Sequence, residues 1–253
     1  MPARRTARER VRAEITREIT DIARGHLGAH GAAGLSLRAV AREMGMVSSA
    51  IYRYFPSRDE LLTALIIDGY SALGAAVEAA DRAHDRGDYA GRWLAGCRAA
   101  RDWAVAHPHE YALIYGSPVP GYQAPADTVA PASRAAAVIG RLVSEAHTAG
   151  VLGPPVGPGP VPASLAEDAE RLGDAVMPGV PPDVALAALA AWASMFGVIS
   201  FELFGQFTNV ITDTGGYFDH TARSLGALVG LPVQARGGPG GTWPPGPPDI
   251  VPR

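Results

Sequence analysis

The residues best equipped for chemistry in this chain are arginines, and they are concentrated at one end. Residues 1–58 hold eleven Arg against five acids (Glu9, Glu14, Glu18, Asp21 and Glu43), a balance of +6. The remainder holds eleven Arg against twenty acids, a balance of −9. The overall net charge of −3 hides this division, which steers a polyanion toward the N-terminal end. No Lys occurs, so each of the 22 basic side chains counted as Lys or Arg is a guanidinium. Its planar fork can engage a phosphate or a guanine edge with two hydrogen bonds at once. The same end carries SLRAVAREMGMVSSAIYRYFPSR at 36–58. A short helical pattern, a glycine, a second short helical pattern and an aromatic close make a helix-turn-helix, whose second helix enters the DNA major groove.

Other chemistries find less support. His107 and His109 flank Pro108, with Glu110 alongside. Two His in an i, i+2 relation across a proline do not share a helix face, and no third ligand follows at a recognisable spacing, so no metal site is expected. The lone cysteine, Cys97, excludes an internal disulfide and a Cys-based zinc site, and its place on an apolar stripe predicts a buried small hydrophobe. No nucleophile motif, phosphate loop or dinucleotide fingerprint occurs, so neither an enzyme nor a cofactor is expected. The segment MPARRTARER lacks the apolar run of a signal peptide, which places the expectation in the cytoplasm.

The expected fold is all-α, with about nine helices. A capping box at Thr6–Glu9 opens a first helix running to about residue 30, with Val11, Ile15, Ile19, Ile22, Ala23 and Leu27 at helical spacing. Ser36 is placed to cap a second helix over 37–44, Gly45 supplies the turn, and a third helix covers 48–54. Ser57 and Glu60 then cap a long fourth helix to about residue 84. Its apolar positions Leu62, Ile66, Tyr70, Leu73 and Val77 step by three or four. A fifth helix over 89–106 buries Trp93, Cys97, Ala100 and Ala104. Pro108 interrupts it, with at most a turn of helix over 109–115. Four prolines make 116–131 a loop, and a sixth helix over 132–149 turns Val138, Ile139, Leu142 and Val143 inward. A Pro/Gly linker at 150–162 separates this from helices at 165–176, 183–207 and 216–228. The chain therefore divides into residues 1–58 with the helix-turn-helix, a helical body over 59–235, and 236–253 as a Pro/Gly-rich tail read as disordered.

The helix over 183–207 is long and apolar enough to span a bilayer. Ser194, Ser200, Glu202 and Gln206 interrupt it, no basic flank follows, and Pro/Gly turns bracket it. We therefore expect no membrane span but a helix sandwiched between its own subunit and a partner.

Residues 10–70 resemble the DNA-binding domain of the TetR/AcrR family of transcriptional regulators. The resemblance rests on LSLRAVAREMGM at 35–46, on Ile51-Tyr52-Arg53-Tyr54-Phe55, and on the run Pro56-Ser57-Arg58-Asp59-Glu60-Leu61-Leu62. HPHEYALIYGSPVPGYQAP at 107–125, with Trp192 and Phe196-Gly197, is similar to the regulatory domain called WHG, although Phe196 stands where that domain usually has His. The resemblance implies that Ser48, Ser49, Ala50, Arg53 and Tyr54 face the groove from the recognition helix. The short side chains allow close approach and contact with a thymine methyl, while Arg53 is suited to a guanine. Arg38 matches a position that reaches a base edge, Tyr52 a phosphate-contacting hydroxyl, and Arg58 the basic residue at the start of the fourth helix. A cation beside a helix N-terminus suits a phosphate, and Ser36 can offer its hydroxyl in the same way. Arg4, Arg5 and Arg8 form a basic arm for the phosphates or the minor groove. Tyr54 is open between packing and base contact, and Arg42 between DNA and solvent.

The resemblance further implies a homodimer joined by helices 183–207 and 216–228, an inverted-repeat operator in double-stranded DNA, and a small-molecule ligand in the C-terminal domain. It thereby implies that the helical body over 59–235 is the ligand-binding and dimerisation domain. Trp103, Tyr111, Tyr115, Met195 and Phe196 are the candidate ligand-binding residues, with core filling as the competing role. Glu202 is open between a ligand cation, an Arg across the dimer and solvent. The rival function is a DNA-organising protein that senses no ligand.

Overall fold

The computed structural model describes residues 6–232 apart from residue 158. Arg4, Arg5 and the tail lie outside the described residues. Among those described there are ten α-helices and no strand. They are α1 (Ala7–His30), α2 (Leu37–Glu43), α3 (Ser48–Ile51), α4 (Arg58–Arg82), α5 (Tyr89–Ala106), α6 (Pro108–Tyr115), α7 (Val129–Thr148), α8 (Ala163–Val176), α9 (Pro182–Leu203) and α10 (Thr214–Val229). The helix beyond the expected nine is α6. Pro108 occupies its first turn, where the missing N–H has no partner to lose, so the proline starts a helix instead of ending one.

Two cores share α4. The smaller holds Ile19, Ala23 and Leu27 of α1, Leu37 and Val40 of α2, Ile51, Phe55, and Leu61, Leu62 and Leu65 of α4. The larger begins at Leu73 and Val77 on the same helix and takes in the apolar faces of α5 to α10. Cys97 sits in it, and burial pushes its thiol up to about 12, so it is an inert hydrophobe. Val11 departs from its expected place on the buried stripe and is 54% exposed. At Val11 the start of α1 projects past the small core, whose buried α1 residues begin at Ile19.

The local signals behave as their chemistry requires. Thr6 and Glu9 form the reciprocal capping box, and the Ser57 hydroxyl accepts from the Glu60 N–H at 3.1 Å. Gly45, at φ 66°, makes the turn between α2 and α3 in a conformation that L side chains rarely adopt. The helix expected over 183–207 stops at Leu203. Gly205 turns left-handed at φ 76°, and the Gln206 N–H donates to the Phe201 carbonyl at 2.8 Å. Both α4 and α9 are long and apolar enough to cross a membrane, but each contributes a buried face to the cores.

One ion cluster is sealed inside. Asp81 and Arg92 are 2% and 0% exposed, and Arg92 Nε donates to the Asp81 carboxylate at 2.8 Å. Arg86 donates to the same carboxylate at 2.8 Å and to Glu145 at 2.6 Å, which ties α4, α5 and α7 together. Burial alone would raise the Asp81 carboxyl, but the hydrogen bonds from Arg92 and Arg86 outweigh it and hold the group below its ordinary 3.8. The stabilising contribution of Asp81 is therefore present above pH 4 and is lost as pH falls through the depressed value. Asp81→Asn should cost about 3–5 kcal/mol in denaturant unfolding at neutral pH, because it strands a buried guanidinium. The variant should also unfold with a flatter dependence on pH below 4 than the parent.

Candidate nucleic-acid interface and the seam behind it

The helix-turn-helix presents one polar face that nothing among the described residues covers. Arg38, Arg42, Ser48, Ser49, Tyr52 and Arg53 are exposed, while Ile51 and Phe55 point into the small core. Ala50 and Tyr54 are half-buried. Val47, just ahead of α3, is 71% exposed, an apolar group on the same edge that periodicity does not mark. Only Ser48–Ile51 is regular helix, and the stretch to Tyr54 continues as turns, which shortens the expected third helix. Ser36 occupies the N-cap of α2, but its hydroxyl makes no capping hydrogen bond. Arg8 lies in the first turn of α1, so it belongs to a helix and not to the flexible arm.

Two arginines do work that the sequence does not announce. Arg12 of α1 donates from Nη2 to the Arg53 carbonyl at 2.9 Å, and its guanidinium lies 5.2 Å from the centre of the Tyr54 ring. This clamps the end of the recognition segment to α1 and gives one face of the half-buried Tyr54 a packing partner. Arg58 donates from Nη2 to the Ala32 carbonyl at 2.8 Å and from Nε to Leu35 at 3.2 Å. It therefore straps the 3₁₀ turn Ala32–Gly34 to the start of α4. No spacing rule reveals either contact, because both partners are backbone carbonyls distant in sequence.

The five aromatic and sulfur side chains considered for a ligand fall into two groups. Trp103, Tyr111, Met195 and Phe196 are buried in the larger core. Tyr111 donates to the Phe196 carbonyl at 3.0 Å and receives the Ser200 hydroxyl at 2.8 Å. Tyr115 stacks on Phe196 with centroids 4.2 Å apart and also lines a cleft of 860 Å³. That cleft is not enclosed by the C-terminal helices. It opens at the seam between the two cores, with Leu27, His30 and Gly31–Ala33 on one wall and α6 with its following loop on the other. Burial drives the Tyr115 phenol well above its ordinary value, so it remains a donor.

Few polar contacts cross the seam. Arg24 of α1 pairs with Glu110 of α6 at 3.1 Å and with Asp68 of α4 at 2.7 Å, and Thr63 meets the Tyr122 hydroxyl at 2.8 Å. Glu202, which the residues left open between ligand, dimer and solvent, has a partner within its own chain. Arg101 of the same chain holds it with two hydrogen bonds, at 2.8 and 2.5 Å. Burial would raise its carboxyl, but Arg101 overrides that and lowers it.

This geometry, an all-helical fold among the described residues with an exposed helix-turn-helix flanked by Arg38, Arg42 and Arg53, defines a helix-turn-helix regulator of transcription. Residues 19–65 match the bacterial regulatory proteins of the tetR family, and residues 93–225 match the tetracyclin repressor-like C-terminal domain. The chain is 43% identical over 242 residues to the HTH-type transcriptional regulator Rv1816 of Mycobacterium tuberculosis, an alignment covering 89% of this chain and 95% of that one. The regulator Mb1846 of Mycobacterium bovis aligns equally well, at 43% identity over the same shares. The crystal structure of the regulatory protein SCO4313 superposes with a TM-score of 0.70 at 36% identity, covering 87% of this chain and 98% of the other. The chain belongs to the tetR family of DNA-binding transcriptional regulators.

Variants at three positions test the interface. In binding assays across variant duplexes, Arg53→Ala should lose about 1–3 kcal/mol of discrimination at one base pair. Arg12→Ala should weaken binding on every duplex and leave the base preference unchanged. Arg58→Lys separates strap from phosphate contact, since it keeps the charge but loses the fork. The strap predicts that Arg58→Lys destabilises the N-terminal core nearly as much as Arg58→Ala, by about 1–2 kcal/mol in thermal unfolding.

Proposed function

We propose that this regulator binds an inverted-repeat operator as a homodimer, acts as a repressor, and is released by a small-molecule ligand held by its C-terminal domain. The observation that carries the reading is the pairing of an exposed recognition face with an exposed apolar stripe on α9, among the described residues. On α9, Leu189, Ala193, Gly197 and Phe201 repeat every four residues and are exposed, with Leu189 and Phe201 at 47% and 54%. An added Cβ at Gly197 would meet nothing, so the stripe is flat enough to accept a second helix closely. Phe204, at 47%, and Tyr217, at 36%, extend the apolar surface toward α10.

The need for a dimer is physical. One recognition helix covers only a few base pairs, and two copies related by a two-fold axis read a site whose halves lie about a helical turn, or multiples of one, apart. Arg38 and Arg53 supply base reading, while Ser48, Ser49 and Ala50 allow close approach. Tyr52, Ser36, Arg58, the arm residues Arg4 and Arg5, and Arg8 on the first turn of α1 supply phosphate contacts. Selection of bound sequences from random duplex DNA with the purified chain should return an inverted repeat. A single unpaired half-site would overturn the dimeric operator. Gly197→Glu should yield monomers by light scattering and reduce affinity for the full operator by about 100-fold or more, while the chain stays folded.

A further inference from the structure

We propose that the cleft at the seam between α1 and α6 is the effector site, and that it takes a small organic acid with an apolar body. This rests on the reading of the chain as a ligand-released regulator, and it names the ligand's place and chemical class.

The volume of 860 Å³ falls in the range of small-molecule sites. Most of the wall is apolar, with Leu27, Leu113, Val119 and Phe204 among its members. Among the described residues no Asp, Glu or Arg lines it. Its polar groups are the imidazoles of His30 and His109 and the hydroxyls of Tyr115, Ser117 and Ser200. The Ser200 hydroxyl is already spent on Tyr111. The remaining four can donate, and Pro118 and Pro120 remove two backbone N–H groups from the rim. An amine would meet no counter-charge there. A carboxylate would meet up to four donors beside an apolar floor. The hollow beside Arg86 and Arg141, at 720 Å³, is a weaker candidate because Asp81 and Glu145 already engage its guanidiniums.

The position also supplies a route to DNA. Ala32 is both a wall of the cleft and the acceptor of the Arg58 strap. The strapped turn leads through Leu35 and Ser36 directly into α2. His109 covers Gly28 so closely that a Cβ there would lie 3.0 Å from its ring. An occupant that parts His109 from α1, or shifts the turn Ala32–Gly34, re-aims the recognition unit. It releases DNA to the extent that it binds the displaced state more tightly.

The test uses the full chain with sodium decanoate, decanamide and decylamine as probes. Calorimetry reads binding without DNA, and anisotropy on a selected duplex reads release. Decanoate should bind about tenfold more tightly than the amide or the amine and should lower DNA affinity. Ala112→Trp, which fills the cleft, should abolish decanoate binding while DNA binding remains. His109→Gln should weaken decanoate but leave decanamide unchanged, and it serves if the tryptophan variant misfolds. Equal binding of all three probes overturns the acid class. Decanoate binding untouched by both variants, or absent in the parent chain, overturns the site, and binding without release overturns the coupling. A parent chain that binds decanoate but no duplex would refute the regulator reading and leave the binding site standing.

Discussion

The recognition unit and the body of this protein meet across a seam held by few polar contacts, and the aim of the DNA-reading face depends on it. Arg24 reaches across it from α1 to Glu110 on α6 and to Asp68 on α4. Tyr122 meets Thr63, and His109 lies over Gly28. An interface of this kind fixes orientation without making it expensive to change, because exposed and half-exposed pairs contribute little each. The larger core behaves differently. Its buried Arg92–Asp81 pair and its apolar faces make α4, α5 and α7 one stiff block.

The helix α4 links the two units. Its first turns complete the small core through Leu61, Leu62 and Leu65, and its last turns belong to the larger one through Leu73 and Val77. Arg58 at its start ties down the turn ahead of α2, so displacement of α4 and displacement of the recognition unit are the same event. A mutation at Arg58 therefore releases the turn ahead of α2 as well as removing a charge. A mutation at Arg12 likewise frees the end of the recognition segment, which its hydrogen bond to the Arg53 carbonyl fixes.

Much of this was legible in the residues. Helical periodicity located the two cores, since Leu62, Leu73, Val77, Cys97, Leu142 and Val143 are all buried as their spacing requires. Caps marked by Thr6, Ser57 and Gly45 fell where their backbone chemistry demands. Val11 shows the limit of that reasoning. Its spacing is right, but spacing cannot say where the partner elements stop. Pro108 shows another limit, because a proline is compatible with the first turn of a helix as well as with a break.

What the sequence determined by itself is local: which stretches are helices, which faces are apolar, and that the basic charge and the helix-turn-helix share one end. These depend on residue type and on contacts within a few positions. The tertiary structure alone decided the long-range matters. It gave Glu202 to Arg101, put Trp103, Tyr111, Met195 and Phe196 in the core, opened the cleft at the seam, and turned Arg12 and Arg58 onto backbone carbonyls. Each of these partners is more than twenty residues away, and a backbone carbonyl looks the same at every position. Only the folded arrangement selects which one a side chain meets.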